Sequence, residues 1–212
     1  ILGLRDRMKN VPIEGSGFAA IAKAREENKP VLFVTGHLGN FEAPRAALVA
    51  LGFKVGGLYR PMANPFFNKH YAENMHKLSG PVFEQSRSGT IGLMRHIKSG
   101  GMAVLLFDIY HSKGDPIPFL GKPAPTLTSA AEIALKTNAL LIPFFGLRQK
   151  DGQTFRIIFQ DPLEHSTAYK MTVEMTRRLE ELVLENIDQW FWIHRRWKPE
   201  RHRRKKNSSN PS

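Results

Sequence analysis

The chain has 212 residues, of which 42% are hydrophobic, and it contains no cysteine. This length suits one domain with a substantial core, and the missing cysteines exclude disulfides, thiolate metal sites and a cysteine nucleophile. The formal net charge is +12, but eight basic residues against one glutamate give the segment 195–206 a charge of +7. The basicity is therefore largely a C-terminal feature.

We expect residues 1–198 to form the domain and residues 199–212 to form a basic, disordered tail. Such a tail suits nucleic acid, anionic lipid or an acidic protein, or it is a solvated end. No stretch approaches the roughly 20 apolar residues that span a bilayer. The sequence begins with Ile1 rather than Met, so we expect a fragment or processed form from which an N-terminal membrane anchor is missing.

Apolar strands alternate with amphipathic helices along the chain. After an irregular lead-in, the order is a helix over residues 18–28, a strand over 31–35, a helix over 38–51, a strand over 53–59, helices over 65–78 and 88–99, a strand over 102–107, a helix over 128–137, strands over 139–145 and 154–159, and a helix over 166–186. Prolines and glycines in residues 109–125 predict a long loop. The alternation predicts an α/β domain with a central, mostly parallel sheet flanked by helices.

His37 follows the first buried strand, at a strand-to-helix corner of the kind where open α/β sheets place ligands. Histidine removes protons near neutral pH, and a carboxylate on its other ring nitrogen fixes the tautomer. Glu42 supplies a carboxylate five residues on. The two side chains can meet only if His37 lies before the helix and Glu42 one turn inside it. A histidine that merely caps the helix is the alternative.

Three further charged residues, Arg60, Arg87 and Asp108, are candidates for the same region. Arg60 and Asp108 follow predicted strands, so we expect them at one edge of the sheet with His37. The guanidinium groups of Arg60 and Arg87 suit acceptor phosphates or an oxyanion, although surface ion pairs explain either one equally well. A capping carboxylate is the alternative for Asp108.

The segment 190–198 interleaves aromatic and basic side chains, a pattern typical of a bilayer interface. Packing of two of its tryptophans on the sheet is an equal alternative. The histidines elsewhere lack metal-ligand spacing with acidic neighbours, so no metal is expected. The chain also has no serine in a Gly-x-Ser-x-Gly elbow, which favours direct attack by an activated acceptor over a covalent acyl-enzyme.

An ordered set of motifs resembles the late acyltransferases of lipid A biosynthesis, which are relatives of the glycerol-phosphate acyltransferases. The motifs cover about residues 15 to 198 and are Gly36-His37-Leu38-Gly39-Asn40-Phe41-Glu42, Tyr59-Arg60-Pro61 with Asn64-Pro65, Arg87, Asp108, Pro118-Phe119-Leu120-Gly121, Leu141-Ile142-Pro143-Phe144-Phe145 and Gln189-Trp190-Phe191-Trp192-Ile193-His194-Arg195-Arg196-Trp197-Lys198. A lone His-x4-Glu is a weak signal, but this ordered set is specific.

The resemblance implies a fold like that of the glycerol-phosphate acyltransferases and an O-acyltransferase without a cofactor. The acyl donor would be acyl carrier protein, with acyl-CoA as an alternative, and the acceptor a hydroxyl of a lipid A precursor such as Kdo-lipid IVA. His37 would be the general base, Glu42 its orienting partner, and Arg60, Arg87 and Asp108 substrate contacts. The implied location is the cytoplasmic face of the bacterial inner membrane, with acyl carrier protein, the glycolipid and anionic lipid as partners.

Two alternatives to this function stay open. The first is an acyltransferase that uses another lipid acceptor, such as a lysophospholipid, an aminolipid or another glycolipid. The second is a basic nucleic-acid-binding module. Against the second, the basic residues cluster at the chain end rather than over a folded face, and no nucleic-acid motif is present.

Overall fold

The computed structural model describes Met8, residues 11–78 and residues 80–198, and the predicted tail at 199–212 lies outside this part of the chain. Its strands are β1 (Ile13–Glu14), β2 (Val31–Thr35), β3 (Val55–Tyr59), β4 (Val82–Glu84), β5 (Met102–Leu106), β6 (Asp115–Phe119), β7 (Lys122–Thr126), β8 (Leu140–Arg148) and β9 (Phe155–Phe159). Its helices are α1 (Gly17–Glu26), α2 (Ala43–Ala50), α3 (Pro65–Leu78), α4 (Arg87–Lys98), α5 (Ser129–Thr137) and α6 (Ala168–Glu185), followed by a 3-10 turn at Ile187–Gln189.

Seven of the strands form one sheet in the order β1-β9-β8-β2-β5-β3-β4. Neighbouring strands are parallel except for the antiparallel pair β8 and β9. Helices α1 and α2 contribute to the core on one face, and α4, α5 and α6 to the core on the other. Strand β2 lies at the centre with all five residues buried, because a strand covered on both faces needs apolar side chains on both. The predicted mostly parallel α/β fold is confirmed.

The elements differ from the sequence prediction in several places: β4 was not predicted, and β8 extends to Arg148 rather than to residue 145. The helix expected from residue 38 begins at Ala43, since Gly39 has a left-handed φ of +58° that interrupts any helix there. The expected lead-in contains β1, which pairs with β9. By contrast, the predicted start of α3 is confirmed, because Asn64 Oδ1 accepts the backbone N–H groups of Phe66 and Phe67.

The loop expected over residues 109–125 is wrong in its second half, where β6 and β7 form an antiparallel hairpin. The prolines pair across the hairpin, Pro116 with Pro125 and Pro118 with Pro123, while Ile117 faces Ala124. A two-stranded ribbon leaves alternate N–H groups pointing outward, so residues without an N–H are tolerated at those positions. The turn at Leu120 and Gly121 has positive φ at both residues, as tight hairpins require.

The parallel strands β2, β5, β3 and β4 end at one edge of the sheet, and the loops that follow them carry the candidate site. In the described part of the chain, none of the helices has the length and apolar character needed to cross a bilayer.

Candidate active site

The corner after β2 is built around a close approach between two loops. A Cβ atom on Gly36 would lie 3.0 Å from Asp108 Oδ2 and 2.8 Å from a methyl group of Leu179. Only glycine therefore lets the Asp108 carboxylate reach the backbone of this corner. Since β2 and β5 are adjacent parallel strands, the residues that follow them meet directly.

Asp108 holds His37 by two hydrogen bonds. The backbone N–H of His37 donates to Oδ2 at 2.8 Å, and the ring Nδ1 lies 2.7 Å from Oδ1. The Asp108 side chain is 3% exposed and that of His37 28% exposed. An ionised carboxylate only accepts hydrogen bonds, so Nδ1 carries a proton, and in the neutral ring Nε2 has the lone pair. This tautomer is the one that a general base needs.

The Asp108 carboxylate is stabilised in its ionised form. Burial pushes the pKa of Asp108 up, but the hydrogen bonds and charge of His37, together with a hydrogen bond from Trp190, more than offset this and leave the pKa below its usual value. The Trp190 indole N–H donates to Oδ2 at 3.1 Å. The carboxylate therefore stays charged and in place at neutral pH.

Two aromatic rings flank the His37 ring. Phe41 lies edge-on at 5.5 Å between ring centroids, and Phe191 is tilted at 5.9 Å. No described residue forms a hydrogen bond with Nε2 of His37. The His37 ring therefore lies between two aromatic side chains, with Nε2 unpaired among the described residues.

Glu42 occupies a separate, neighbouring pocket. Its carboxylate lies 3.5 Å from Nη1 of Arg45, whose side chain is fully buried and whose Nε donates to the carbonyl of Val55. Burial raises the pKa of Glu42, and the charge and hydrogen bond of Arg45 offset this only in part. Tyr71 on α3 lies close to this ion pair, since burial and the charge of Glu42 raise the pKa of Tyr71. Helix α3 therefore covers the Glu42–Arg45 pair.

The structure does not place Glu42, the carboxylate predicted to orient His37, against the His37 ring, and its catalytic role stays a prediction. Glu42 is the residue immediately before α2, not one turn inside it, and its side chain faces Arg45. The His37 ring instead faces Asp108, 71 residues away in sequence.

Arg60 and Arg87 lie on the same sheet edge but not beside His37. Arg60 follows β3 and Arg87 begins α4 after β4, and both side chains are exposed. With strands spaced about 4.8 Å apart, their backbones stand roughly 10 and 15 Å along the edge from the end of β2. No described residue forms a hydrogen bond or ion pair with either guanidinium, and their role in substrate binding stays a prediction.

The segment 190–198 is divided between core and surface. Trp190 is 4% exposed and Arg196 1% exposed, whereas Phe191 and Trp192 are each 46% exposed and Ile193 is 85% exposed. Packing of tryptophans from this segment on the core is confirmed for Trp190 and Trp197, and a role of the exposed side chains at a bilayer interface stays a prediction. Trp190 contacts Asp108 directly, a contact that aromatic composition alone did not reveal.

His194 is a second histidine near the site that the sequence did not single out. Its Nε2 accepts the backbone N–H of Tyr110 at 2.7 Å, which fixes its proton on Nδ1. Burial lowers the pKa of His194, opposed by the charge of Asp108. Among the residues described, no three His, Asp or Glu side chains are grouped so as to hold a metal ion.

Residues 4–199 match the sequence profile of the family described as Bacterial lipid A biosynthesis acyltransferase. The chain belongs to this family. A lipid A biosynthesis acyltransferase of Haemophilus influenzae is 25% identical over 178 residues, which are 79% of this chain and 54% of that protein. A lipid A biosynthesis lauroyltransferase of Escherichia coli K12 is 26% identical over 67% of this chain and 48% of its own length.

The present chain therefore spans about half the length of these two curated relatives. A lipid A biosynthesis acyltransferase 2 of Shigella flexneri is 21% identical over 92% of this chain and 62% of its own length. Among solved structures, a 1-acyl-sn-glycerophosphate acyltransferase of Thermotoga maritima superimposes with a TM-score of 0.48 at 13% identity, covering 90% of this chain and 80% of its own. The family resemblance seen in the sequence motifs is confirmed.

Proposed function

We propose that this chain carries the acyl-transfer site of an enzyme that moves a fatty acyl group from acyl carrier protein to a hydroxyl of a lipid A precursor of the Kdo-lipid IVA type. The observation that carries the proposal is the pairing of His37 Nδ1 with the buried Asp108 carboxylate, which leaves Nε2 as a base. Family membership supports an acyl group and a lipid A-like acceptor.

The chemistry follows from this tautomer. Nε2 of His37 accepts the proton of the acceptor hydroxyl as the oxygen attacks the thioester carbonyl, and Asp108 stabilises the ring cation that forms. The carbon–sulfur bond then breaks, and the leaving thiolate takes the proton from Nε2. The new ester and a free thiol result, with no acyl-enzyme, metal or cofactor. Asp108 takes the orienting role that the sequence assigned to Glu42.

Arg60 and Arg87 are suited to bind the acceptor substrate along the same edge of the sheet. Both are exposed cations without a protein partner in the described residues, and they lie some 10 to 15 Å from the base. We assign them to the acceptor phosphates, which stand apart from the hydroxyl that is acylated. Guanidinium groups bind phosphate oxygens with paired hydrogen bonds.

The same edge carries exposed apolar side chains that support docking on an anionic membrane. Phe66 and Phe67 open α3 at 86% and 53% exposure, and Ile109 and Ile193 are 42% and 85% exposed. Large apolar side chains without a protein partner insert favourably among lipid headgroups. We assign the enzyme to the cytoplasmic face of the inner membrane, where acyl carrier protein and the glycolipid meet.

The proposal is tested with full-length protein, a defined acyl carrier protein thioester, and either Kdo-lipid IVA or lysophosphatidic acid as acceptor. Mass spectrometry should detect one additional acyl chain on Kdo-lipid IVA and none on lysophosphatidic acid. If only lysophosphatidic acid is acylated, the acceptor is a lysophospholipid rather than a lipid A precursor. If neither acceptor is acylated, the proposed function is wrong. Co-sedimentation with anionic and neutral vesicles tests the membrane surface separately, with Phe66→Ser as the variant expected to bind less.

A further inference from the structure

Residues 189–197, here called the C-terminal strap, are hydrogen-bonded along the loop that carries His37. The Gly39 N–H donates to the carbonyl of Gln189, and the Phe191 N–H donates to the carbonyl of His37. Between these bonds, Leu38 and Trp190 form an antiparallel bridge. The strap therefore follows the backbone of the catalytic loop residue by residue.

Within the strap, Trp190 is held rigidly. Its indole packs at 5.3 Å from the ring of Phe119, 4.7 Å from Trp192 and 6.0 Å from Trp197, in each case near perpendicular. At 4% exposure it has no room to change rotamer without opening the core. Its N–H direction is consequently fixed toward Asp108.

The strap is also anchored at two places in the chain that follows Asp108. His194 accepts the N–H of Tyr110, two residues after Asp108. Arg196 donates to the carbonyl of Pro125 and to the hydroxyl of Thr126 at the end of the β6–β7 hairpin. These contacts join the strap to the loop and the hairpin that follow β5.

We propose that Trp190 is a positioning residue for the acyl-transfer base: its indole N–H orients the Asp108 carboxylate so that Oδ1 faces Nδ1 of His37. This inference rests on the proposed function and adds a residue that no catalytic motif identifies. Oδ2 receives two donors, His37 N–H and the Trp190 indole, and Oδ1 receives one. Without the indole, Oδ2 keeps only the backbone N–H of His37 as a donor, so the carboxylate is held less firmly in the plane that points Oδ1 at Nδ1.

The test compares Trp190→Phe with Trp197→Phe. Both indoles pack against Phe119, but the buried Nε1 of Trp197 has no hydrogen-bond partner among the described residues. Trp197→Phe thus removes a similar volume without removing a hydrogen bond. A donor to a charged buried group is worth roughly 10- to 100-fold in rate, so Trp190→Phe should lower kcat by that factor with little change in KM. Trp197→Phe should stay close to wild type.

The pH–rate profile separates positioning from packing. A carboxylate that has lost one donor attracts the His37 ring proton more strongly, so the acid limb should move to higher pH in Trp190→Phe only. The charged and titratable groups that face Asp108 are His37, His194 and Arg196, and all are retained in both variants. Equal losses in the two variants, or an unmoved acid limb in Trp190→Phe, would overturn the proposal.

A measurement without substrate keeps this inference distinct from the proposed function. In ¹⁵N-histidine-labelled protein, the Nδ1–H proton of His37 should give a downfield resonance that Trp190→Phe shifts or broadens and Trp197→Phe preserves. An unchanged resonance in Trp190→Phe contradicts the positioning role, whatever acyl acceptor the enzyme uses. A changed resonance in a protein without acyl-transfer activity would retain the positioning role and reject the function.

Discussion

Two carboxylates lie near the catalytic corner, and their surroundings differ. Asp108 receives three hydrogen bonds at 2.7 to 3.1 Å and has a lowered pKa, whereas Glu42 has a single guanidinium at 3.5 Å and a raised pKa. In the proposed reaction, the first stabilises the charge that develops on His37. The second balances the buried Arg45. Closeness in sequence does not select the side chain that pairs with His37, because adjacent strands bring Asp108 nearer.

The largest effect is expected for His37→Ala. Loss of the base should lower kcat roughly 10²- to 10⁴-fold in the acyl-transfer assay, with the fold retained by circular dichroism. His165→Ala is the control, since the His165 ring contacts the carbonyl of Ala139, next to the amino end of β8 rather than the site. Near-normal turnover of His37→Ala would contradict the site itself.

Asp108→Asn should be the next most damaging change. Asparagine has an NH₂ donor in place of one of the two carboxylate oxygens, so it no longer fixes the His37 tautomer. We expect kcat to fall at least about 100-fold. Steady-state kinetics and thermal unfolding should be measured together. A variant that unfolds normally and turns over at the wild-type rate would remove Asp108 from the mechanism.

Glu42→Gln should affect stability more than chemistry. Arg45 stays buried and bonded to Val55 but loses its anionic partner, and we expect about 1 to 3 kcal/mol less stability in urea unfolding. The rate should fall far less than in Asp108→Asn. Glu26→Gln, at the end of α1 and exposed, serves as the control. A rate loss equal to that of Asp108→Asn would restore Glu42 as the orienting residue.

The smallest effect is expected in the pH dependence of stability. His194 has a lowered pKa in the folded protein, so the unfolded chain binds a proton first as the pH falls. Its contribution to stability is complete above about pH 6.5 and is lost as the pH falls from there toward the lowered value. His194→Gln keeps an acceptor for the Tyr110 N–H but does not titrate. Between pH 7 and pH 5, the free energy of unfolding measured in urea should fall less in this variant than in the wild type.

The sequence alone determined the fold class, the family and the position of His37, the proposed base. Apolar runs of strand length alternate with helical patterns, and the run 31–35 ends in Gly36 and His37, so local chemistry sufficed to place a histidine at a sheet corner. It also placed Asp108 at the end of a strand. The proline-rich hairpin was missed, because a single sequence does not reveal which N–H groups point away from a partner strand.

Only the tertiary structure decided which side chains meet. The adjacency of β2 and β5 selects Asp108 over Glu42, and the strap that returns along the catalytic loop brings Trp190 to the same carboxylate. These contacts span 71 and 82 residues. Sequence patterns report which face of an element is buried, whereas the order of strands in the sheet and the return of the chain end depend on packing of the whole domain.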